Sequence, residues 1–238
     1  CPHLVVELVR SGRVREARLD QSVRRLLRLK FQLGLFDDPF VDETQVAQVM
    51  GDPAAQAAGF DSQRRAITLL KNDHGALPLA GRPRLYLKNV DAAVAAAYAE
   101  VVTTPEEADF VLVRVQTPWV PVETDNPFAR GFHHGDLDFK ADALAELLPL
   151  LRAAPSIVVI YLDRPAVIPE ISAAATALLA DYGASDAAVL DVLFGKRKPE
   201  GKLPFELPAS MDAVRHQKPD LPHDSEHPLY PFGFGLSL

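Results

Sequence analysis

The residues from Ile157 to Pro208, IVVIYLDRPAVIPEISAAATALLADYGASDAAVLDVLFGKRKPEGKLPFELP, leave a chain few ways to fold. Ile157 to Leu162 is an apolar, β-branched run too short for a buried helix, so it is predicted to be a core strand. Asp163, Arg164 and Pro165 end it, one helical turn is expected around Ile168 to Ile171, and Ala177 to Tyr182 forms a second buried strand that turns at Gly183. Ser185 is a good N-cap for a helix from Asp186 to Phe194, Asp186 suits its positive end, and Gly195 stops it. Lys196 to Lys202 reads as a basic loop, and Leu203 to Leu207 as a last short strand before Pro208. Strands that alternate with helices pair in parallel, because parallel neighbours need a crossover connection, and the helices then cover the sheet faces. The fold class expected is α/β, with a doubly wound, mostly parallel sheet.

Bulk properties exclude several function classes. The formal net charge of −7 argues against a nucleic-acid surface, which needs clustered Lys and Arg. The one basic run, Lys196 to Lys198, is flanked by Pro199 and Glu200 and reads as a solvated turn. No stretch approaches the roughly 20 apolar residues of a membrane span. Cys1 is the only cysteine, so no internal disulfide can form and the compartment is not legible; a periplasmic or secreted location stays open. The chain opens at Cys1 and is helical in pattern from Leu4 to Val9, as expected of a piece of a longer protein.

Upstream, Pro2 to Arg10 places Leu4, Val5, Leu8 and Val9 on one helical face. Asp20 is expected to cap a second helix, Gln21 to Leu33, with Val23, Leu26, Leu27 and Phe31 in a stripe and Gly34 just beyond its end. This pair has too little apolar surface to fold alone and needs a partner. Phe36 to Val41 is extended around Pro39. Asp52 and Pro53 open a long helix expected to reach Leu70, with Gly59 as a weak point. A turn follows at Asn72 to Gly75, then a strand at Leu85 to Leu87, a helix at Asp91 to Ala99 and a strand at Phe110 to Val115.

Trp119 to Phe139 has no periodicity, holds Pro121 and Pro127, and carries the acids Glu123, Asp125, Asp136 and Asp138 beside His133 and His134. Irregular loops of this length in compact domains are functional or disordered, and Trp119, Phe128, Phe132 and Phe139 argue against disorder. The loop leaves a parallel strand, so it departs from the carboxyl edge of the sheet, where α/β folds place ligands. A helix from Ala141 to Arg152 returns to the core strand. Adjacent histidines point in different directions and no further ligand lies at metal spacing, so His133 and His134 suit hydrogen bonding better than metal binding. The YPFGFGL run lacks the strand-turn-helix context of a phosphate loop, and no cofactor is expected.

DRPAVIPEI, LLADYGASDAAVLDVLFGK, PEGKLPFELP and the terminal YPFGFGLSL resemble the C-terminal domain of family 3 glycoside hydrolases, the β-glucosidase group. LDQSVRRLLRLKFQLGLFDDPFVDE resembles that family's interdomain link, and RRAITLLKNDHGALPL the start of its second domain. The resemblance implies that residues 1–50 are the last helices of a (β/α)8 barrel plus a linker, and residues 51–238 an α/β sandwich. It implies a carbohydrate substrate, an N-terminal barrel domain of the same protein as partner, and retaining hydrolysis of terminal β-linked sugars. The nucleophile would lie on the barrel. In many members the acid/base is a glutamate on a second-domain loop; Thr117 to Glu123, TPWVPVE, resembles that loop and points to Glu123, with Asp136 and Asp138 as the runners-up and Asp138 equally suited to capping the next helix. Trp119 would stack on a sugar ring, His133 and His134 would bond sugar hydroxyls, and Arg130 would pair a loop acid or contact substrate. A carboxyl acting as acid needs its pKa raised, and Trp119 and Phe128 are the apolar groups at hand. The competing reading is a non-catalytic module that binds a sugar or a protein; burial of the Val5, Leu8, Val9, Val23 and Leu27 stripe within the chain would favour it.

Overall fold

The computed structural model describes residues 2–238 and divides into two compact units, Cys1–Ala55 and Gln56–Leu238. Cys1, the sole cysteine, lies outside the described residues. The first unit holds α1 (Pro2–Arg10), α2 (Glu16–Gln32) and α3 (Val46–Met50). Asp20 does not cap α2: the helix starts earlier, after Arg15, because Glu16, Ala17 and Arg18 are good helix formers and Glu16 suits the positive end of the dipole. Gly34 takes the expected left-handed turn, at φ 67°. None of the described residues of this unit is buried, and Leu26 and Phe31 are 64% and 67% exposed.

From α4 (Pro53–Ala66) the chain runs through β1 (Thr68–Asn72), β2 (Arg84–Lys88), α5 (Ala92–Ala95), β3 (Glu100–Val102) and β4 (Phe110–Gln116). It continues through α6 (Pro127–Arg130), α7 (Ala141–Ala153), β5 (Ser156–Tyr161), α8 (Pro169–Ala174), β6 (Ala177–Asp181), α9 (Asp186–Leu193) and α10 (Met211–His216). The strands form one sheet in the order β1-β6-β5-β4-β2-β3, parallel except for β1, which pairs antiparallel with β6 at the edge. Successive side chains of a strand face opposite ways, and the core splits accordingly. Leu69, Leu112, Ile157, Val159 and Leu179 join α5 and α9 in one cluster; Leu70, Val111, Val113, Val158, Ile160 and Leu178 join α7 and α8 in the other. Ile157 to Ile160 are all fully buried, worth about 1.5–3 kcal/mol each relative to exposure.

Further boundaries differ from expectation, among them the helix expected at Asp91 to Ala99, which is capped by Asp91 as its side chain suits but ends at Ala95. The long helix ends at Ala66 instead of Leu70, because Ile67 to Leu70 are buried on both faces, which a strand permits and a surface helix does not. Leu203 to Leu207 forms no ladder: the chain bends at Pro204 and Phe205, Pro204 lacks an N–H, and the backbone is held to the chain end, with Leu203 N donating to Phe234 O and Leu207 N to Tyr230 O. Asp138 does not cap α7, whose N-cap is Lys140; it accepts from the Lys140 ammonium at 2.7 Å instead. The short elements β3, α6 and α10 carry too little periodicity to be read from sequence. Ser185 caps α9 as expected, accepting from Ala188 N, and Asp52 caps α4 through Ala54 N.

Candidate active-site loop at the carboxyl edge of the sheet

Strands β2, β4, β5 and β6 all end at one sheet edge, and the loop from Thr117 to Lys140 rises from it. Its outgoing stem is held by Thr117, whose N–H donates to Tyr161 O at 3.2 Å and whose buried hydroxyl donates to Arg164 O at 3.1 Å. The returning stem is held by the Arg164 guanidinium, which donates to Gly135 O, and by Val167 N, which donates to Leu137 O at 3.0 Å. Val120 and His134 pair across the two stems through both backbone bonds. Gly135 is required at this crossing: it adopts φ 91°, and a Cβ there would stand 2.8 Å from Val120 Cγ2. Phe139 packs against the buried core at the loop's end.

The predicted site residues divide between two places. Trp119 and His133 come together, with stacked rings 3.9 Å apart and 16° from parallel, and His133 Nδ1 is bonded to the Asp163 carboxylate. His134 meets the loop through its backbone alone among the described contacts. Glu123 and Arg130 line a depression of about 610 Å³ formed by residues 121–125. The Arg130 guanidinium donates to Thr124 O at 2.7 Å, and Glu123 has no hydrogen bond or ion pair among the described residues. Glu123 is exposed and Phe128 is 87% exposed, so the apolar shielding anticipated from Trp119 and Phe128 is not built within the chain.

Asp136 and Asp138 both accept from the Lys140 ammonium at 2.7 Å, and Arg215 approaches Asp136 at 3.5 Å. The bond from Lys140 holds the Asp136 carboxyl below its ordinary range, the wrong direction for a group that must carry a proton to a leaving oxygen. Among the described residues, no three His, Cys, Asp or Glu side chains gather as a metal ion would need.

Sequence reasoning passed over what surrounds this loop. Asp163 and Arg164, expected only to end the strand, tie down the returning stem. Arg114, within the strand expected at Phe110 to Val115, donates to Asp186 at 2.5 Å, to Asp181 at 2.9 Å and to Ala184 O at 2.9 Å. It borders a second depression of about 400 Å³ with Asn89, Gln116 and Tyr161, at the point where the chain's winding reverses between β2 and β4. No spacing rule links residues this far apart in sequence, so only the register of the strands could reveal them.

Residues 86–238 match the family model described as "Glycosyl hydrolase family 3 C-terminal domain". The chain is 48% identical over 240 residues to beta-glucosidase C of Emericella nidulans, covering 99% of this chain and 38% of that protein. It is 40% identical over 237 residues to the periplasmic beta-glucosidase/beta-xylosidase of Dickeya chrysanthemi, covering 98% of this chain and 36% of that protein. The fold also matches the crystal structure of a beta-glucosidase from Listeria innocua in complex with gluconolactone, with a TM-score of 0.69 at 20% identity over 98% of this chain and 40% of that one. The chain thus spans a little over a third of the length of these relatives. With a parallel sheet of the matching architecture and a family model covering more than half of its residues, the chain belongs to glycosyl hydrolase family 3, of which it carries the C-terminal domain.

Proposed function

We propose that this chain is the C-terminal part of a two-domain retaining β-glycosidase acting on terminal β-linked sugars, and that its long loop brings the acid/base to a site on an N-terminal barrel. The observation that carries this reading is the alignment: relatives named β-glucosidases match 98–99% of the chain with 36–38% of their own length. The exposed apolar residues Val5, Val23 and Leu27 support a missing partner and count against a self-contained binding module. Residues 1–50 would then be the last barrel helices and linker, and 51–238 the sandwich.

Retaining glycosidases set two carboxyl groups about 5 Å apart: one attacks the anomeric carbon while the other protonates the leaving oxygen, then takes a proton from the incoming water. Glu123 is the acid/base of this proposal and the barrel provides the nucleophile. Because Glu123 is exposed in the chain, the apolar surroundings that keep such a carboxyl protonated must come from docking and from bound sugar. Trp119 offers one ring face for stacking on a pyranose, the other being taken by His133; His133, His134 and Arg130 offer hydrogen-bond donors to hydroxyls. No helix among the described residues is long and apolar enough to cross a membrane, and the periplasmic naming of the Dickeya relative extends the proposal to an exported protein, which fractionation of the producing cells checks.

The test is Glu123→Gln in the barrel-containing protein. Hydrolysis of an alkyl β-glucoside, whose leaving group needs a proton, should fall by about 10²–10⁴. Hydrolysis of 2,4-dinitrophenyl β-glucoside, whose leaving group does not, should fall far less, and azide should restore turnover as glycosyl azide. Equal rates for mutant and parent on the alkyl glucoside would remove Glu123 from the mechanism. The 238-residue chain alone should show no turnover.

A further inference from the structure

The active-site loop is tied to one short stretch of chain, residues 161–167 after β5, by bonds that involve Tyr161, Asp163, Arg164 and Val167. All but one of these ties use backbone groups at one end or both. The remaining one joins two side chains: Asp163, whose side chain is 18% exposed, meets His133 Nδ1. His133 stands on the returning stem and Trp119 on the outgoing one, and their rings stack. Above this clamp, residues 121–132 make only local bonds among the described contacts, such as the Asn126 cap on Phe128 N and the Arg130 bond to Thr124 O. The direction in which the loop tip leaves the sheet is therefore set at its foot.

We propose that Asp163 is a positioning residue for the acid/base loop: it fixes the His133 ring, the ring seats Trp119, and the clamped stems set where Glu123 is presented. A histidine free at Nδ1 could turn about its side-chain bonds, and a bond from a carboxylate to Nδ1 selects one ring orientation and one tautomer. A ring so held gives Trp119 a fixed surface to pack on, whereas an unheld ring gives it a moving one. A site supported in this way holds its reactive group to within a fraction of an ångström, and displacement by about 1 Å can cost roughly 100-fold in rate. The catalytic consequence rests on the assignment of Glu123 above; the clamp itself does not.

The experiment uses the barrel-containing protein with Asp163→Ala, His133→Phe and His133→Asn. His133→Phe keeps a ring for Trp119 but cannot bond Asp163, and His133→Asn keeps a donor but loses the ring. Hydrogen exchange followed by mass spectrometry reads peptides covering residues 118–134, and hydrolysis of alkyl and 2,4-dinitrophenyl β-glucosides reads acid catalysis. The expected result for all three is at least tenfold faster exchange in 118–134 with β4 and β5 unchanged; for Asp163→Ala, kcat/KM should fall by up to about 100-fold on the alkyl glucoside and stay within about threefold of the parent on the dinitrophenyl glucoside. Unchanged exchange in 118–134 in Asp163→Ala overturns the proposal. Faster exchange in Asp163→Ala with kcat/KM reduced equally on both substrates upholds the clamp and overturns the assignment of Glu123 to this loop's chemistry. Global loss of protection in one variant is separated from a loop effect by the other two.

Discussion

Replacing Arg114 with leucine should be among the most damaging single changes in the sheet. Its side chain is 18% exposed, and the Asp181 side chain that it meets is fully buried. Burial alone would make the guanidinium easier to deprotonate, but the bond to Asp186 and the charge and bond of Asp181 outweigh it and hold the group above its ordinary pKa. Asp181 Oδ1 accepts from Gly183 N and Ala184 N, and Oδ2 accepts from Arg114. Without the guanidinium, the backbone donors remain but a carboxylate stays buried with no counter-charge, at a cost of about 3–5 kcal/mol. The stranded Ala184 carbonyl adds roughly 1 kcal/mol. That is a large share of the 5–15 kcal/mol typical of a domain, and with a urea slope of about 2 kcal/mol/M it moves the midpoint down by roughly 2 M. Urea unfolding followed by circular dichroism measures it. Arg114→Leu combined with Asp181→Asn should recover at least half of the loss, since the uncompensated charge is gone. The exposed pair Arg84 and Asp109 is the control, and breaking it should change little. A loss below about 1 kcal/mol for Arg114→Leu would refute the reasoning, because Asp181 would then be reaching water or a proton that the buried geometry denies it.

Two further outcomes follow from burial and backbone geometry. Burial raises the phenol pKa of Tyr98, Tyr182 and Tyr230, so above a pH of about 10 the folded chain holds protons that the unfolded chain has lost. Stability should be unaffected by these groups below that pH and should fall as pH rises beyond it; titration of phenolate absorbance at 295 nm should show these tyrosines ionising late, together with unfolding. Gly201→Ala should cost at least about 1–3 kcal/mol in thermal or urea unfolding, since a Cβ there lies 2.1 Å from Ala66 O and 2.7 Å from Ile67 O, both backbone. Gly59→Ala, inside α4 with nothing within 4 Å of the new Cβ, should instead stabilise by up to about 1 kcal/mol.

Much of the second unit was legible because its strands are buried on both faces. Ile157 to Ile160 and Ala177 to Ala180 are continuous apolar runs bounded by Asp163-Arg164-Pro165 and Gly183, and each became a central parallel strand. The helix from Asp186 was legible for a local reason too, since Ser185 caps it within three residues. The strand β1 reads from sequence as the end of a helix because no Gly or Pro separates Ala66 from Ile67 to Leu70, and its extended form is set by β6, over a hundred residues away. The loop was recognisable as irregular and aromatic, yet its residues could not be sorted by role. Glu123 and Asp136 are both loop acids in sequence; only their surroundings, an open depression for one and Lys140 for the other, tell them apart.

By itself, then, the sequence determined what short-range rules govern: which doubly buried runs are the central strands, which residues cap α4 and α9, and that the helices would cover a mostly parallel sheet. The exposed stripe of the first unit belongs to the same class, since a pattern of apolar residues without a core is visible one helix at a time. Tertiary structure alone decided the strand order, the antiparallel edge strand, the Arg114 to Asp181 and Asp186 cluster, and the clamp from Asp163 through His133 to Trp119. Those features join side chains 14 to 72 residues apart, and no periodicity of 2 or 3.6 carries across the irregular segments between them. They exist because burial of two apolar sheet faces brings the carboxyl ends of parallel strands to one edge, where every polar group must find its partner among the others.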